Sequence, residues 1–196
     1  MKSEIIENIF KIYNQHIFLR DMCIEDIEEY ILWNTKEIQW QDWDAPWEDE
    51  EDIDIEELKN SLFQRLNREL PMVRRRLEIC NIDGIHIGWV SSYYIEGDKS
   101  KLAIGIDIAN NKFTGRKLGE FSLSLFISYL LKSGSILEIY TETWSGNHRM
   151  INLAKKCGFE VVKRKINYRE VRGKNYDALT FKLNKKLFWE RYKNLK

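Results

Sequence analysis

The sequence predicts one α/β domain built around a mixed β-sheet. Its 196 residues suit a single core, and 43% of them are hydrophobic. Strand-like and helix-like runs follow one another in the order β α α β β β α β α β β α, without an internal repeat or a low-complexity linker. We therefore interpret residues 1–196 as one domain that ends in a helix over residues 184–196.

The first half of the chain predicts one strand and two helices. Residues 16–20 (HIFLR) form a short apolar run typical of a strand, and residues 24–33 have the apolar spacing of a helix. Residues 37–58 contain eleven acids, no base and three tryptophans, with Pro46 among them, which predicts an acidic aromatic loop. Helical spacing returns over residues 58–70.

The second half predicts the remaining strands and helices. Two strand-like runs flank Asp83-Gly84, which is a strong hairpin signal. Apolar residues recur at helical intervals between Gly119 and Gly134, and again from Asn147 to Gly158. The predicted strands are residues 75–82, 85–95, 102–108, 136–143, 159–171 and 176–183.

The charges of the chain are divided between its two parts, although the net charge is zero. Residues 1–70 carry 19 acids and 7 bases, whereas residues 71–196 carry 12 acids and 24 bases. If both parts line one cleft, the basic part suits a polyanionic ligand and the acidic part a cationic one. Alternatively, each part only solvates its own surface.

Composition disfavours several classes of protein. No run approaches the roughly 18 apolar residues of a membrane span, and the start MKSEIIENIF lacks the pattern of a signal peptide. We therefore expect a cytoplasmic protein without a membrane partner. Cys23, Cys80 and Cys157 lack the spacing of a zinc site or of a disulfide framework, so neither a metal nor a disulfide is expected.

The turn between Gly115 and Gly119 is a candidate phosphate cradle. It follows a predicted strand and precedes a predicted helix, whose first amides lack intrahelical acceptors and carry partial positive charge. Lys112, Arg116 and Lys117 would add positive charge to an anion held there. The alternative is an ordinary turn, because the glycine spacing matches neither of the common nucleotide-binding fingerprints.

Two longer segments, IGIDIANNKFTGRKLG and EIYTETWSGNHRMINLAKKCGFE, carry a resemblance to a known family. With the helix between them they resemble the GNAT family of acetyl-CoA-dependent N-acetyltransferases, in particular the branch of the ribosomal-protein alanine acetyltransferases, over residues 15–185. Gly115-Arg116-Lys117-Leu118-Gly119 stands at the pyrophosphate loop of that family, and Asn147 with Lys156-Cys157-Gly158-Phe159 stands at its Asn…Lys-x-Gly-Phe motif.

The sequence departs from the family pattern at three positions. Thr114 replaces the first Gln or Arg of the loop, and Lys117 replaces its middle glycine. Because Lys117 carries a side chain, we expect a negative φ there. Ala154 stands where many members have the tyrosine that protonates the leaving thiolate, so this acid is absent or is supplied by water or by the hydroxyl of Tyr140, Thr141 or Thr143.

The resemblance implies a mixed, mostly antiparallel, twisted sheet of about six or seven strands, flanked by helices and splayed between its fourth and fifth strands, residues 102–108 and 136–143. The acetyl thioester would lie in this splay, where an amine attacks it directly and a backbone NH near Ile108 stabilises the oxyanion. The implied coenzyme-binding residues are Ile106, Ile108, Ala109 and Asn147 for pantetheine, and Thr114, Gly115, Arg116, Lys117, Leu118 and Gly119 for the diphosphate.

Three carboxylates are candidates for the general base, since an amine arrives protonated and must lose a proton. They are Asp107 and Glu142, with Asp44 of the acidic loop as a third. The alternative for Asp107 is a solvated or capped strand residue, because an aspartate with an ordinary pKa is a poor base. We expect His148 to be a surface residue and His86 to be structural.

The acidic aromatic loop is predicted to bind the acceptor. Tryptophan faces and carboxylates together suit a cation, which makes Trp40, Trp43, Asp44 and Trp47 the candidate substrate-binding residues. The competing interpretation makes the tryptophans core or dimer-contact residues. For the segment 163–165 (Lys-Arg-Lys), a solvated strand end is favoured over a phosphate track, and no nucleic acid partner is expected.

The sequence therefore predicts an acetyl-CoA-dependent N-acetyltransferase without a metal. Its acceptor would be the primary amine of a cationic small molecule or of a protein N-terminus, and a homodimer is compatible with this interpretation. One alternative is a catalytically idle acyl-CoA-binding module. Another is a small interaction domain whose tryptophan-rich loop binds a basic protein.

Overall fold

An eight-stranded sheet forms the centre of the part of the chain that the computed structural model describes, residues 10–47 and 53–195. The strands lie in the order β1, β2, β3, β4, β5, β6, β8, β7, and all neighbours are antiparallel except β5 and β6. Their bounds are Lys11–Tyr13 (β1), Ile17–Arg20 (β2), Arg76–Asn81 (β3), His86–Tyr94 (β4), Lys101–Asp107 (β5), Glu138–Trp144 (β6), Phe159–Val171 (β7) and Lys174–Leu183 (β8).

Helices cover both faces of the sheet. Apolar side chains of α4 and α5 pack with the larger core on one face, and α1 and α3 pack with Trp89 in a smaller core on the other face. None of the helices in the described part of the chain has the length and apolar character needed to cross a bilayer. The helix bounds are Asp26–Thr35 (α1), Gln41–Asp44 (α2), Ile55–Asn67 (α3), Leu118–Lys132 (α4), His148–Lys156 (α5) and Lys185–Arg191 (α6).

The predicted α/β class and order of elements are confirmed, with two additions. The sequence does not predict the helix α2 or the strand β1. The additional strand β1 raises the strand number from the expected six or seven to eight in the described residues. The β1 strand has three residues and joins β2 through a turn in which Asn14 Oδ1 accepts hydrogen bonds from the amides of His16 and Ile17. So short a strand carries no usable hydrophobic period. Residues 48–52, five acids of the predicted acidic loop, lie outside the described residues.

The predicted splay between β5 and β6 is confirmed. The two parallel strands pair only from Lys101 to Ala103, although β5 continues to Asp107 beside β4 and β6 continues to Trp144 beside β8. At the fork, the Thr141 Oγ1 donates a hydrogen bond of 2.8 Å to the Ile104 carbonyl oxygen. A side chain therefore occupies the place of the next ladder contact, and the strands diverge beyond it.

A buried ionic network joins α1 to the sheet. Arg20 binds both carboxylate oxygens of Asp26 at 2.6 Å, and His86 Nδ1 and Nε2 lie 2.5 Å from Glu29 Oε2 and 3.2 Å from Glu78 Oε2. Burial opposes a charge on His86, but its hydrogen bonds to Glu29 and Glu78 and the nearby carboxylates raise its pKa to about 9. These contacts agree with the structural role expected for His86.

The same network contains a group with the residue types of a metal site. The ligand atoms of Asp26, Glu29 and His86 lie within 4.8 Å of one another. Both oxygens of Asp26 are engaged by Arg20, however, and a guanidinium beside the carboxylate would repel a cation. We therefore interpret the group as an ion-pair network that fixes α1.

Candidate active site

A cleft of about 1130 Å³ opens where β5 and β6 separate. It brings together residues predicted for the coenzyme side and for the acceptor side. Those that line it are Trp40, Trp43, Asp44, Trp47, Ile106, Asp107, Ile108, Thr114, Gly115, Lys117, Leu118, Gly119, Glu142 and Asn147. Two other predicted residues do not line it: Ala109 is fully buried in the smaller core, and Arg116 is exposed beside the Phe113 ring.

The turn before α4 presents a row of backbone amides. The amides of residues 115–119 have no hydrogen-bond acceptor among the residues that the structure describes. Gly115 has a φ of +74°, and Lys117, the N-cap residue of α4, has a φ of +63°. The negative φ expected for Lys117 is wrong, because the chain enters α4 through left-handed backbone, which costs a residue with a side chain about 1–2 kcal/mol.

Gly119 lies in the first turn of α4 and borders the cleft. A Cβ atom at this position would meet only Leu153 Cδ2, at the ordinary contact distance of 3.7 Å. The packing of the protein itself therefore does not require a glycine here. Because Gly119 has no side chain, the space in front of the free amides stays open, and a ligand can approach the backbone closely there.

Asp107 lies at the end of β5, beside the gap, and pairs across to Trp89 of β4. Burial and the negative charge of nearby Asp44 raise the pKa of Asp107 to about 7, while Arg76 and a hydrogen bond from Trp89 lower it. A carboxyl group that titrates near neutrality suits general base catalysis. Asp107 is partly exposed at the cleft, and its role as the base stays a prediction.

Glu142 lies on β6, across the gap from β5. One of its carboxylate oxygens accepts a hydrogen bond of 2.7 Å from the Tyr93 hydroxyl, and the other accepts one of 3.1 Å from Thr180 Oγ1. Burial and the contact with Glu142 raise the pKa of Tyr93, so its hydroxyl remains a donor. Both oxygens of Glu142 are therefore engaged by hydroxyl groups.

Asn147 connects α5 with the acidic aromatic loop. Its Oδ1 accepts a hydrogen bond of 2.9 Å from the Met150 amide and so caps α5. Its Nδ2 donates to the Trp43 carbonyl oxygen at 2.6 Å, and the Trp144 indole donates to the same oxygen at 3.1 Å. The backbone of the loop is therefore fastened at the cleft through Trp43.

The three tryptophans of the loop have different surroundings. Trp40 packs edge to face on Trp89 in the smaller core, with ring centroids 5.1 Å apart. Arginine side chains of this chain cover the other two: the Arg149 guanidinium lies 4.1 Å from the Trp43 ring and the Arg169 guanidinium 5.1 Å from the Trp47 ring. The tryptophans of the loop therefore line the cleft and also pack within the chain, and their binding of an acceptor stays a prediction.

Comparison with known proteins gives a family. Residues 16–160 match the family model described as the acetyltransferase (GNAT) domain, which is most of the chain. The chain belongs to the GNAT acetyltransferase family. No curated protein matches it by sequence.

Solved structures share the GNAT fold with this chain. A GNAT-family acetyltransferase from Bacillus anthracis is 14% identical, with a TM-score of 0.70 over 89% of this chain and 98% of that chain. Spermidine N-acetyltransferase from Vibrio cholerae, in complex with CoA and spermine, is 16% identical, with a TM-score of 0.70 over 87% and 96% of the two chains. A ribosomal L7/L12 alpha-N-protein acetyltransferase is 15% identical, with a TM-score of 0.67 over 89% and 93%.

The position of the usual tyrosine of the GNAT family offers no acid in this chain. Ala154 is fully buried in the larger core. Of the hydroxyl groups considered from the sequence, Thr141 donates to Ile104 and Tyr140 donates to Glu138 Oε2 at 2.6 Å. Thr143 lines the cleft.

Several lining residues escape sequence reasoning. They belong to β3, β4, β7 and β8, and they become neighbours only through the register of the sheet. No local motif marks them as parts of one site: the sequence shows the run of residues 163–165 (Lys-Arg-Lys) but not which of its side chains reach the cleft, and the other residues lie on different strands. They are Arg76, Tyr93, Lys163, Lys165 and Thr180.

Proposed function

We propose that this GNAT-family chain transfers the acetyl group of acetyl-CoA directly to a primary amine. The observation that carries the proposal is the gap between β5 and β6, with the Asp107 carboxyl group on one border and the free amides before α4 nearby. A thioester and an amine held together in this gap need no covalent enzyme intermediate, since positioning supplies much of the rate.

The coenzyme side of the proposal rests on backbone groups. The diphosphate would accept hydrogen bonds from the amides of residues 115–119, where the start of α4 also supplies partial positive charge. Pantetheine would pair along the end of β5 and the residue after it, Ile106 to Ile108, beside Asn147. The amide of Ile108 would donate to the carbonyl oxygen as it becomes negative.

The amine side of the proposal rests on Asp107 and Asp44. Their negative charges attract an ammonium group, and Asp107 then accepts its proton, because the pKa of this carboxyl group is about 7. The amine nitrogen forms a bond to the thioester carbonyl carbon, and the bond from that carbon to sulfur breaks. The thiolate leaves and takes a proton from water or from Thr143, and the second proton lost by the nitrogen as it becomes the amide replaces that proton. Glu142 is a weaker candidate for the base, because two hydroxyls already occupy its oxygens.

The acceptor proposed is an amine that is cationic at its reacting end, on a small molecule or on a protein N-terminus. Trp43, Asp44 and Trp47 would form its wall, and Trp40 would support them from the smaller core. Membership of the branch of ribosomal-protein alanine acetyltransferases, a cytoplasmic location and a homodimer are further proposals from the sequence.

The test is thiol release from acetyl-CoA in the presence of a panel of primary amines. We expect amine-dependent release with the parent chain, and little release with Asp107→Asn at an unchanged affinity for acetyl-CoA. A rise in the thermal midpoint with acetyl-CoA, but no thiol release with any amine, would instead favour the idle acyl-CoA-binding module. No rise in the midpoint would favour the protein-interaction domain.

A further inference from the structure

Two rows of side chains cross the sheet from the gap to the outer strand β7. The residues in a row pair directly with one another on neighbouring strands, and directly paired residues point to the same face of a sheet. Each row therefore connects a residue at the gap with a lysine of β7. From β6 through β8 to β7 the rows are Glu142, Thr180 and Lys163, and Trp144, Ala178 and Lys165.

These rows lie on the same face as Asp107. Asp107 pairs with Trp89, which packs with α1 and α3, and the Tyr93 hydroxyl of β4 reaches Glu142 at 2.7 Å across the gap. The helices α4 and α5 pack on the opposite face. Lys163 and Lys165 therefore extend the acceptor side of the cleft, away from the turn proposed for the coenzyme diphosphate.

The two lysines differ from the neighbouring cations in their partners. Lys163 and Lys165 line the cleft and make no ion pair with an acidic residue of the described chain; Lys165 Nζ lies 4.5 Å from the centroid of the Tyr168 ring, which lines the cleft as well. By contrast, Arg164 between them binds Asp177 at 2.5 Å, and Arg172 at the end of the strand pair binds Asp42. Residues 163–165 were expected to be a solvated strand end. In the structure, Arg164 pairs with an acidic residue of this chain, whereas Lys163 and Lys165 line the cleft.

The distance between the lysines and Asp107 limits the length of a ligand that contacts both. Three regular strand spacings, from β5 through β6 and β8 to β7, amount to about 14 Å, and the separation of β5 from β6 at Asp107 makes the path longer than this. Between the ends of this path the row has Ala178, whose short side chain leaves room above the sheet, and the aromatic ring of Trp144. An acidic end, an aromatic middle and a basic end match a ligand with an ammonium group, an apolar spacer and an anionic group.

We propose that Lys163 and Lys165 form an anion subsite that binds the far end of the acceptor. The inference rests on the proposed acetyl transfer and names the acceptor class: an amine that carries a carboxylate or phosphate group at least about 14 Å from its nitrogen. Such an anion can belong to a small molecule, or to an acidic side chain about four residues from the N-terminus of an extended peptide.

The test compares acceptors of graded length by kcat/KM in the thiol-release assay. ω-Amino carboxylates and ω-aminoalkyl phosphates are measured beside alkylamines and ω-diamines of the same length, and a parallel arm uses peptides with and without an acidic fourth residue. We expect the anionic acceptors of matching length to exceed the neutral ones by roughly three- to tenfold, the effect of one or two exposed ion pairs. The advantage should shrink as the salt concentration rises. The arm with the larger advantage identifies the source of the anion.

The double variant Lys163→Gln with Lys165→Gln should abolish this advantage and leave the affinity for acetyl-CoA unchanged. Lys185→Gln with Lys186→Gln removes the same charge at the start of α6, outside the lining of the cleft, and should keep the advantage. A preference for diamines, an advantage that survives in the first double variant, or an equal loss in both double variants overturns the subsite. If thiol is released at a rate that does not depend on the anionic group of the acceptor, the subsite is overturned and the proposed function stands. If no amine gives thiol release, the proposed function is overturned together with the subsite.

Discussion

Asp44 and Asp107 both line the cleft, and the negative charge of Asp44 adds to burial in raising the pKa of Asp107 to about 7. Two carboxylates in proximity attract an ammonium ion, and the less acidic of the two can take its proton. The loop before α3 and the end of β5, which are more than fifty residues apart in the sequence, therefore act on the same nitrogen in the proposed reaction.

Replacing Asp107 by Asn should lower kcat by roughly 100-fold or more, because the proton acceptor is lost while the shape is kept. The parent chain should show a rate that increases with pH through about 7, since only the deprotonated carboxylate acts as a base. Asp44→Asn removes the charge that raises this pKa, so it should move the rising limb to lower pH. The measurement is the pH profile of kcat, and an unchanged limb in Asp44→Asn would contradict the coupling.

Gly119→Trp should weaken binding of acetyl-CoA by at least about 100-fold, because the side chain would fill the space in front of the amides of residues 115–119. The control is Gly119→Ala, whose Cβ meets only Leu153 at 3.7 Å and should preserve the thermal midpoint. Calorimetric titration measures both affinities. An unchanged affinity in a folded Gly119→Trp protein would falsify the assigned diphosphate site.

Lys117→Gly should increase the free energy of unfolding by up to about 1 kcal/mol. The substitution relieves the left-handed strain at φ +63°, and the greater entropy of glycine in the unfolded chain offsets part of the gain. Lys117→Ala, which removes the charge but keeps a Cβ, should bring no such gain. Urea unfolding of the three proteins tests this, and equal stability of the glycine and alanine variants would refute the strain.

Stability should fall as the pH rises from about 6.5 to about 9. The pKa of His86 in the folded chain is about 9 against 6.5 for a free histidine, so its contribution is complete below the lower value and is lost through the higher one. This shift in the pKa corresponds to about 3 kcal/mol in the free energy of unfolding. Its physical source is the contact of the buried imidazolium with Asp26, Glu29 and Glu78. Urea unfolding between these pH values should show that the free energy of unfolding of the parent chain decreases with pH, whereas that of His86→Gln does not show this decrease. An equal dependence on pH in both proteins would disprove the contribution of His86.

Trp43→Ala combined with Asp44→Ala should raise the KM of the amine far more than that of acetyl-CoA. The carbonyl oxygen of residue 43 remains available to Asn147 and Trp144, so the fastening of the loop is retained. Steady-state kinetics with each substrate varied in turn separate the two constants. Equal increases in both would argue against an acceptor role for the loop.

The elements that the sequence predicts well are those with local signals. The apolar period of α4, the Asp83-Gly84 hairpin and the glycine turn each lie within a short stretch of chain, and the family resemblance adds the splay. By contrast, β1 has three residues and α2 has four, which is too short for a hydrophobic period to appear.

The acceptor side of the cleft was predictable only in part, for a physical reason. Asp107 is recognisable as a strand residue, but its raised pKa depends on Asp44 and on burial, which no local pattern reports. The same holds for Lys165, which reaches the cleft because of its pairing with Ala178. For Trp43 the sequence predicts too much: it suggests an aromatic face that is open to a ligand, but the Arg149 guanidinium covers that face in the folded chain.

The hydrogen bond from Thr141 to Ile104 bears on how the proposed coenzyme would enter the gap. The Thr141 hydroxyl donates to the Ile104 carbonyl oxygen, which a backbone amide of β6 would bind in a continuous parallel ladder. No backbone hydrogen bonds between β5 and β6 therefore have to break before a thioester can lie between them. If a coenzyme binds in this gap as proposed, its binding needs no rearrangement of the sheet, because the two strands are already apart.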